Sequence, residues 1–519
     1  MTHATGWIQY RTACGLVALV GLIVSPVNAQ DVGTNAPQVP AAIVVESLTE
    51  KALQEHVNVL ASDSLEGREA GSRGGRAAAT YLTEQLKQIG MQPAGPNGDW
   101  FQPFGDTIEY RNILALIPGT DPVLRNEHIV IGAHYDHVGY GNATNSYGPF
   151  GQIHNGADDN ASGCSTLLEM MRAIKTSGFQ PKRSLLFAFW DGEEKNLLGS
   201  KHYVSAPTIP LTQIKMVVNV DMVGRLTDER MEMLGTRTGA GLRRLVSERN
   251  LEEINIDFNW DIVGDSDHYP FVQRQIPYLM PFTDKHGDYH RPSDDPDRVN
   301  AAGMRRVGRM VLRVLLELAN TERTPVYRSR CRVESEGTRR GFERPLPTAK
   351  PRLGVQTNRT VSGGLVVRGL VPNTPAGLAG FQVGDEILSF DGRDVTAENF
   401  PEIVQTAPET TNAAIRRNGT VSTLNVQLEG APRRLGIAWR TDACEPGTMM
   451  LSRVVAGSPA FVSGLRVGDR IYSVNGRTTV SDDQFLNLIK TSEQLQVTVE
   501  RKGRLFVANV KLPPLATTP

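Results

Sequence analysis

Residues 185–200 read LLFAFWDGEEKNLLGS. A strand-like apolar run, Leu185 to Trp190, stops at Asp191 and is followed by two adjacent carboxylates, Glu193 and Glu194. Neighbouring carboxylates repel unless a cation or a shared proton relieves them, so this segment asks for a partner elsewhere in the chain. The sequence around it sets the fold class. "NILALI" (112–117), "HIVIGAHYD" (128–136) and "KMVVNVDMVG" (215–224) are further short apolar runs, and "ASGCSTLLEMMRAI" (161–174) has helical spacing. Strands alternating with helices at these lengths predict an α/β domain with a mostly parallel central sheet flanked by helices. A helix over 74–89 with Gly90 as its C-terminal cap precedes the strands, and a last helix, "AAGMRRVGRMVLRVLLELA" (301–319), closes the domain.

The 519 residues allow roughly three or four domains of about 100–200 residues each. With 40% apolar and 21% charged residues the chain is of ordinary globular composition, and its net charge of −1 gives no field that points to nucleic acid or an anionic membrane. Residues 1–29 differ: Arg11 precedes "ACGLVALVGLIV" and "SPVNA", which predicts a secretory signal peptide cleaved after Ala29. That apolar run is short of the ~20 residues a spanning helix needs. We therefore expect no transmembrane segment and an exported protein, periplasmic or extracellular. The remaining cysteines, Cys164, Cys331 and Cys444, do not make a disulfide framework, although a Cys331–Cys444 bridge is open on sequence alone.

Organisation follows composition. Residues 30–45 read as a loose leader, 46–320 as the α/β domain, and 321–350, rich in Arg, Glu, Pro and Gly, as a linker. Beyond the linker the chain repeats. "RLGVQ" at Arg352 returns as "RLGIA" at Arg434, and "TPAGLAGFQVGDEILSFDGR" (374–393) returns as "SPAFVSGLRVGDRIYSVNGR" (458–477). Two small β-rich domains, 351–430 and 431–514, are the reading.

Ionisable residues collect at the strand ends: His134, Asp136 and His137, then Asp158 and Asp159, then Glu193 and Glu194, then Asp221, and finally His290 and Asp294. Ligand sites in open α/β sheets lie at the carboxyl ends of the parallel strands. So many carboxylates with imidazoles in one cleft need cations. Zn²⁺ takes such ligands, and two metals about 3.5–4 Å apart, sharing a carboxylate, turn water into a nucleophile. Each motif alone is weak, since Asp-Asp before a helix is commonly a cap and Glu-Glu is commonly a solvated surface. Asp221 is the exception, because a charge in an apolar strand is costly without a partner.

Together "AHYDH", "GADDNASG", "WDGEEKNLLGS", "NVDM" and "YHRPSDDPD" resemble, in order and spacing, the co-catalytic di-zinc peptidases that include bacterial leucyl aminopeptidase and glutamate carboxypeptidase II. The resemblance covers about residues 46–320. It implies two Zn²⁺ per chain, with His134 and Asp221 on the first, Glu194 and His290 on the second and Asp159 bridging, Asp158 being the rival bridge. Glu193 becomes the general base, Asp136 the residue that orients His134, and Asp294 a support for His290. His137 and His268 are pocket or wall residues. The family's oxyanion tyrosine has no counterpart at Val263, and Tyr269 or Tyr289 stand as substitutes.

The repeats resemble PDZ domains of bacterial proteases, which implies a C-terminal peptide ligand at a sheet edge. Pro401 in the expected groove helix weakens the first copy. The function implied is an exported zinc exopeptidase acting on peptides, an aminopeptidase first, through a metal-bridging hydroxide and a Glu general base. The alternatives are a glutaminyl cyclase-like acyltransferase, which shares "DGEE", and an inactive peptidase fold serving as a peptide-binding scaffold.

Overall fold

The computed structural model describes residues 39–361, 364–478 and 481–513. The expected signal peptide, with most of the leader, lies outside them. Among the described residues no helix is long and apolar enough to cross a membrane.

Nine strands form the large sheet: β1 (Gln92–Pro93), β2 (Phe101–Phe104), β3 (Tyr110–Ile117), β4 (His128–His134), β5 (Ser184–Trp190), β6 (Ile214–Asn219), β7 (Arg230–Leu234), β8 (Asn255–Phe258) and β9 (Tyr278–Phe282). They run in the order β1-β3-β5-β4-β6-β9-β7-β8, with β2 on β3. The four central strands, β5, β4, β6 and β9, are parallel, while β3 joins antiparallel to β5 and β7 antiparallel to β9. Register sets the chemistry. His134, the last residue of β4, pairs with Trp190, the last of β5, and Gly132 pairs with Asn219, the last of β6. The residues that follow each strand therefore leave the sheet at one edge.

Both faces of β4 and β5 are buried, as continuous Val/Ile/Leu/Phe runs require of central parallel strands. One face packs on Gly163–Ser177, Ala301–Asn320 and Glu50–Leu60, through Leu167, Leu168, Val311 and Leu315. The other buries Trp190, Tyr203, Phe271 and Tyr278. Gly90 ends the helix Arg73–Ile89 at φ +76°, its N–H bonded to Leu86 and Lys87 carbonyls, a conformation glycine adopts without steric cost.

Two expectations on the flanks are corrected. Residues 41–45 are not a loose leader: Ala41–Glu46 is helical, and Val44 and Val45 are buried in the main core. Nor is 321–350 a free linker. Ser329–Val333 forms a tight turn with Cys331 buried, and Glu336–Glu343 is a helix capped by Ser335. Without apolar periodicity the segment reads as solvated, yet ion pairs tie it to the rest of the chain and bury Glu334. Arg237 pairs with Glu334 at 2.8 Å and with Asp442, and stacks 3.9 Å over Trp260.

Two all-antiparallel sheets of six strands each follow, over Val355–Gln427 and Ile437–Lys511. The repeated Gly-Asp pair has the same work in both. Buried Asp385 holds Arg417 at 2.7 Å, and buried Asp469 holds Arg501 at 2.6 Å. Pro401 lies in the first turn of its helix, where a missing N–H is harmless, and the backbone at Gly457 of the second copy packs against it. In the second copy the Trp439 indole N–H donates to Asp482 at 2.8 Å, and the ring meets Phe485 edge-on, so this side chain lies across the space between strand Ile437–Asp442 and helix Asp482–Thr491. The second sheet is also joined to the large unit. Backbone bonds Gly241 N–H to Cys444 O and Ile256 N–H to Lys502 O, and the ion pairs Arg243–Glu500 and Arg470–Glu343, cross the seam. Cys164, Cys331 and Cys444 are free and buried.

Candidate metal centre at the strand ends

The loops after β4, β5 and β6 converge as the register requires, and two further loops complete the site. His134 Nε2 lies 3.2 Å from Asp159 Oδ1 and 3.5 Å from Asp221 Oδ1. His290 Nε2 lies 3.0 Å from Asp159 Oδ2 and 3.2 Å from Glu194 Oε2. The two oxygens of Asp159 thus face different histidines. Two groups of potential donor atoms result, His134–Asp159–Asp221 and His137–Asp159–Glu194–His290, each with all atoms within 4.8 Å of one another.

Both ring orientations are set from behind. His134 Nδ1 meets the Asp136 carbonyl oxygen at 3.1 Å and His290 Nδ1 meets the Asn145 carbonyl oxygen at 2.9 Å. A carbonyl only accepts, so Nδ1 carries hydrogen in each ring, and a neutral ring then turns the Nε2 lone pair toward carboxylates. Lone pairs facing anions need a proton or a cation between them. Burial works against protonation, but the surrounding carboxylates overcome it, holding His134 well above its ordinary range and His290 at about 10.

The donor set also fits zinc by distance. Ligand atoms about 2.0–2.1 Å from a tetrahedral Zn²⁺ stand about 3.3 Å apart, which is where these pairs lie. Asp221 Oδ1 and His290 Nε2 are buried without an aligned hydrogen-bond partner, as atoms awaiting a cation would be.

The opening pair of glutamates is split by its surroundings. Burial raises both carboxyls. For Glu193 the neighbouring Glu194, Asp267 and Asp221 add to that, and its carboxyl lies well above the usual range. For Glu194 the His137 and His290 contacts outweigh burial and hold it at about 2. Glu193 belongs to neither donor group but lines a cavity of about 150 Å³ beside His134 and Asp159. Met222, Leu234, Met280 and Phe282 form the apolar wall of this cavity, and Tyr289 is also in its lining. Tyr289 stacks on His290 at 4.0 Å, whereas Val263 is only lining and the Tyr269 ring packs at Gly264.

Several supporting residues act differently from their sequence reading. Asp136 meets His134 Nδ1 with its carbonyl oxygen, while its carboxylate, 3.7 Å from Nδ1, also accepts the N–H groups of Glu193 and Glu194 at 3.1 and 3.3 Å and so shapes the glutamate turn. Asp294 does not reach His290. It accepts from the N–H groups of Asp158 and Asp159 and pairs with Arg225. Asp158 turns away from the cluster, to Gly224 N–H and His286. His268 is a wall residue, stacked on Tyr278 with Nε2 on the Val263 carbonyl, and burial lowers it to about 4. His137, read as a pocket or wall residue, is inside the cluster, 2.8 Å from Glu194.

Arg68 escaped sequence reading. It is buried and donates to the carbonyl oxygens of Leu60, Tyr135, Asn155 and Gly156, tying the chain just after His134 to the chain just before Asp159. Asp267, buried beside the site, is a second such residue; burial, then Asp136 and Asp221, push it up to about 7.

Parts of this chain match known families and proteins. Residues 112–315 match peptidase family M28, and residues 366–417 and 450–501 match the PDZ domain. A probable leucine aminopeptidase of Arthroderma otae is 28% identical over 221 residues, 42% of this chain and 53% of that protein. Leupeptin-inactivating enzyme 1 of Streptomyces exfoliatus is 28% identical over 276 residues, 50% of this chain and 55% of that protein. The chain spans about half the length of these curated relatives. Among solved structures, the LapA aminopeptidase of Legionella pneumophila superimposes with a TM-score of 0.45 at 22% identity, covering 54% of this chain and 75% of that one. The strand-end cluster lies within the matched segment, and this chain carries a domain of peptidase family M28 followed by two PDZ domains.

Proposed function

We propose that this chain is a di-zinc exopeptidase that removes amino-terminal residues from peptides. The observation that carries the reading is Asp159, whose two oxygens serve two separate donor groups while Glu193, beside the cavity, serves neither. In this reading His134 and Asp221 would hold one zinc, Glu194 and His290 the other, and Asp159 would serve both. Zinc there would polarise a peptide carbonyl and acidify a water molecule. Glu193 takes the proton from the attacking water and delivers it to the leaving amine. Asp136 keeps Glu193 and Glu194 on opposite duties by fixing the backbone between them.

The tyrosine hydroxyl of Tyr289 is held protonated, by burial and then by Asp159 and Glu194, and is available to donate to a developing oxyanion. Tyr289→Phe is expected to lower kcat about 10²-fold, with KM and zinc content little changed. Unchanged kcat would remove Tyr289 from the mechanism.

The apolar cavity wall, with Asp265 and Glu232 in the same lining, suits an apolar first side chain beside a cationic amino terminus. The name of one relative, a probable leucine aminopeptidase, points the same way. Purified protein should cleave leucyl substrates with a free amino terminus, lose that activity with a chelator and regain it with Zn²⁺. Equal cleavage of N-acetylated peptides, release of carboxy-terminal residues, or cyclisation of amino-terminal glutamine in its place would each reject the assignment. Export belongs to the same proposal and rests on residues 11–29. Amino-terminal sequencing of secreted protein should begin at Gln30, and retention of an intact Met1 terminus would contradict it.

A further inference from the structure

His137 is the one imidazole of the cluster whose place the di-zinc reading leaves undefined, and two roles compete for it. It is either a further ligand of the second zinc or a hydrogen-bond donor to a ligand. Its surroundings separate the two. The ring is fully buried, and its Nδ1 lies 2.8 Å from Glu194 Oε1 but 3.9 Å from Asp159 Oδ2. Glu194 turns its other oxygen, Oε2, to His290. A histidine that ligates a metal through one nitrogen carries hydrogen on the other, and that N–H needs an acceptor. His134 and His290 meet this condition through the Asp136 and Asn145 carbonyl oxygens. His137 does not, because its Nε2 is buried without a partner. A buried bare donor is costly. Hydrogen on Nδ1 leaves Nε2 a bare acceptor in place of a bare donor, and in return makes the 2.8 Å contact a charge-assisted bond to a carboxylate.

The ring is also held firmly. The His137 N–H donates to the Arg68 carbonyl oxygen at 3.2 Å, and the ring packs on Gly156, where a Cβ would stand 2.6 Å from Cγ and Cδ2. Gly156 has φ +55°, a second reason for glycine there.

We infer that His137 is a positioning residue, not a ligand: its Nδ1–H binds Glu194 Oε1, so that Glu194 offers the metal only Oε2. This rests on the di-zinc reading and specifies how one of its ligands is held. Losing such an outer partner typically weakens metal binding about 10–100-fold.

The test is competition for Zn²⁺ between the metal-free full chain and a chromophoric chelator, resolving two binding steps. Asparagine places its side-chain N–H group close to where histidine places Nδ1–H, but it is a poor zinc ligand. His137→Leu should weaken one step about 10–100-fold, leave the other within a few-fold and keep the stoichiometry at two. His137→Asn should restore the weakened step to within a few-fold of the parent. Thermal unfolding of the metal-free variants identifies any loss that is merely misfolding, in which case the Asn variant decides alone. If Leu and Asn weaken the step equally, His137 is a ligand; if neither does, it has no part in holding the metal, and either result overturns the inference. A parent chain that binds no zinc would reject the di-zinc reading itself, a separate outcome.

Discussion

Glu193→Gln should lower kcat by about 10²–10⁴-fold while both zinc ions stay bound. The substitution is close to isosteric. It leaves the backbone N–H that Asp136 accepts, and it removes only the ability to take a proton. Glu193 is outside both donor groups, so metal content has no reason to fall. Its carboxyl is raised above the ordinary range by burial and by nearby carboxylates, which strengthens it as a base once ionised. Glu194→Ala is the control with the opposite signature, because it strips an oxygen donor from the His290 group and should release metal. Steady-state kinetics beside metal analysis reads both. A Glu193→Gln variant within tenfold of the parent kcat would move the general base elsewhere.

Arg68→Ala should cost about 4 kcal/mol of unfolding free energy, because it takes a charged donor from four carbonyl oxygens in a buried site, of which that of Gly156 keeps the Ala161 N–H. Hydrogen bonds to charged groups contribute about 1.5–3 kcal/mol each, and partial relaxation keeps the total below their sum. Arg68→Lys should recover little, since one ammonium cannot span four acceptors that a planar guanidinium reaches. The same bonds hold the chain beside Asp159 and His134, so zinc affinity should fall with stability. The midpoint of urea unfolding measures the first effect, and a loss under about 1 kcal/mol would show that the four bonds are easily replaced by water.

The site was legible in the sequence to the extent that its residues sit next to strand ends. His134, Glu193, Glu194 and Asp221 follow β4, β5 and β6, and parallel register brings such positions together whatever the side-chain detail. Asp159 and His290 come from loops, and only the order of all the motifs placed them. What the sequence hid is contact between distant segments. His137 meets Glu194 across 57 positions of chain, and Asp294 turned out to hold the Asp158–Asp159 backbone, not His290. Arg68, in a Gly-rich polar stretch, looks like a solvated cation until Leu60, Tyr135 and Asn155 are seen to surround it.

The fold followed the same division. Apolar periodicity announced the strands and long helices, and direct repetition announced the two PDZ copies. The helix at 41–46 was masked by Ala- and Pro-rich neighbours, and the packed segment at 321–350 was masked by its charge. Glu334 of that segment and Asp442 both pair with Arg237, at a seam whose sides lie far apart in the chain.

The most direct test of the account is diffraction from crystals of the zinc-loaded protein at the zinc absorption edge. Two anomalous peaks about 3.5–4 Å apart, with Asp159 touching both, His134 and Asp221 on one, and Glu194 and His290 on the other, are the predicted result. A single peak, or two that do not share Asp159, would contradict it.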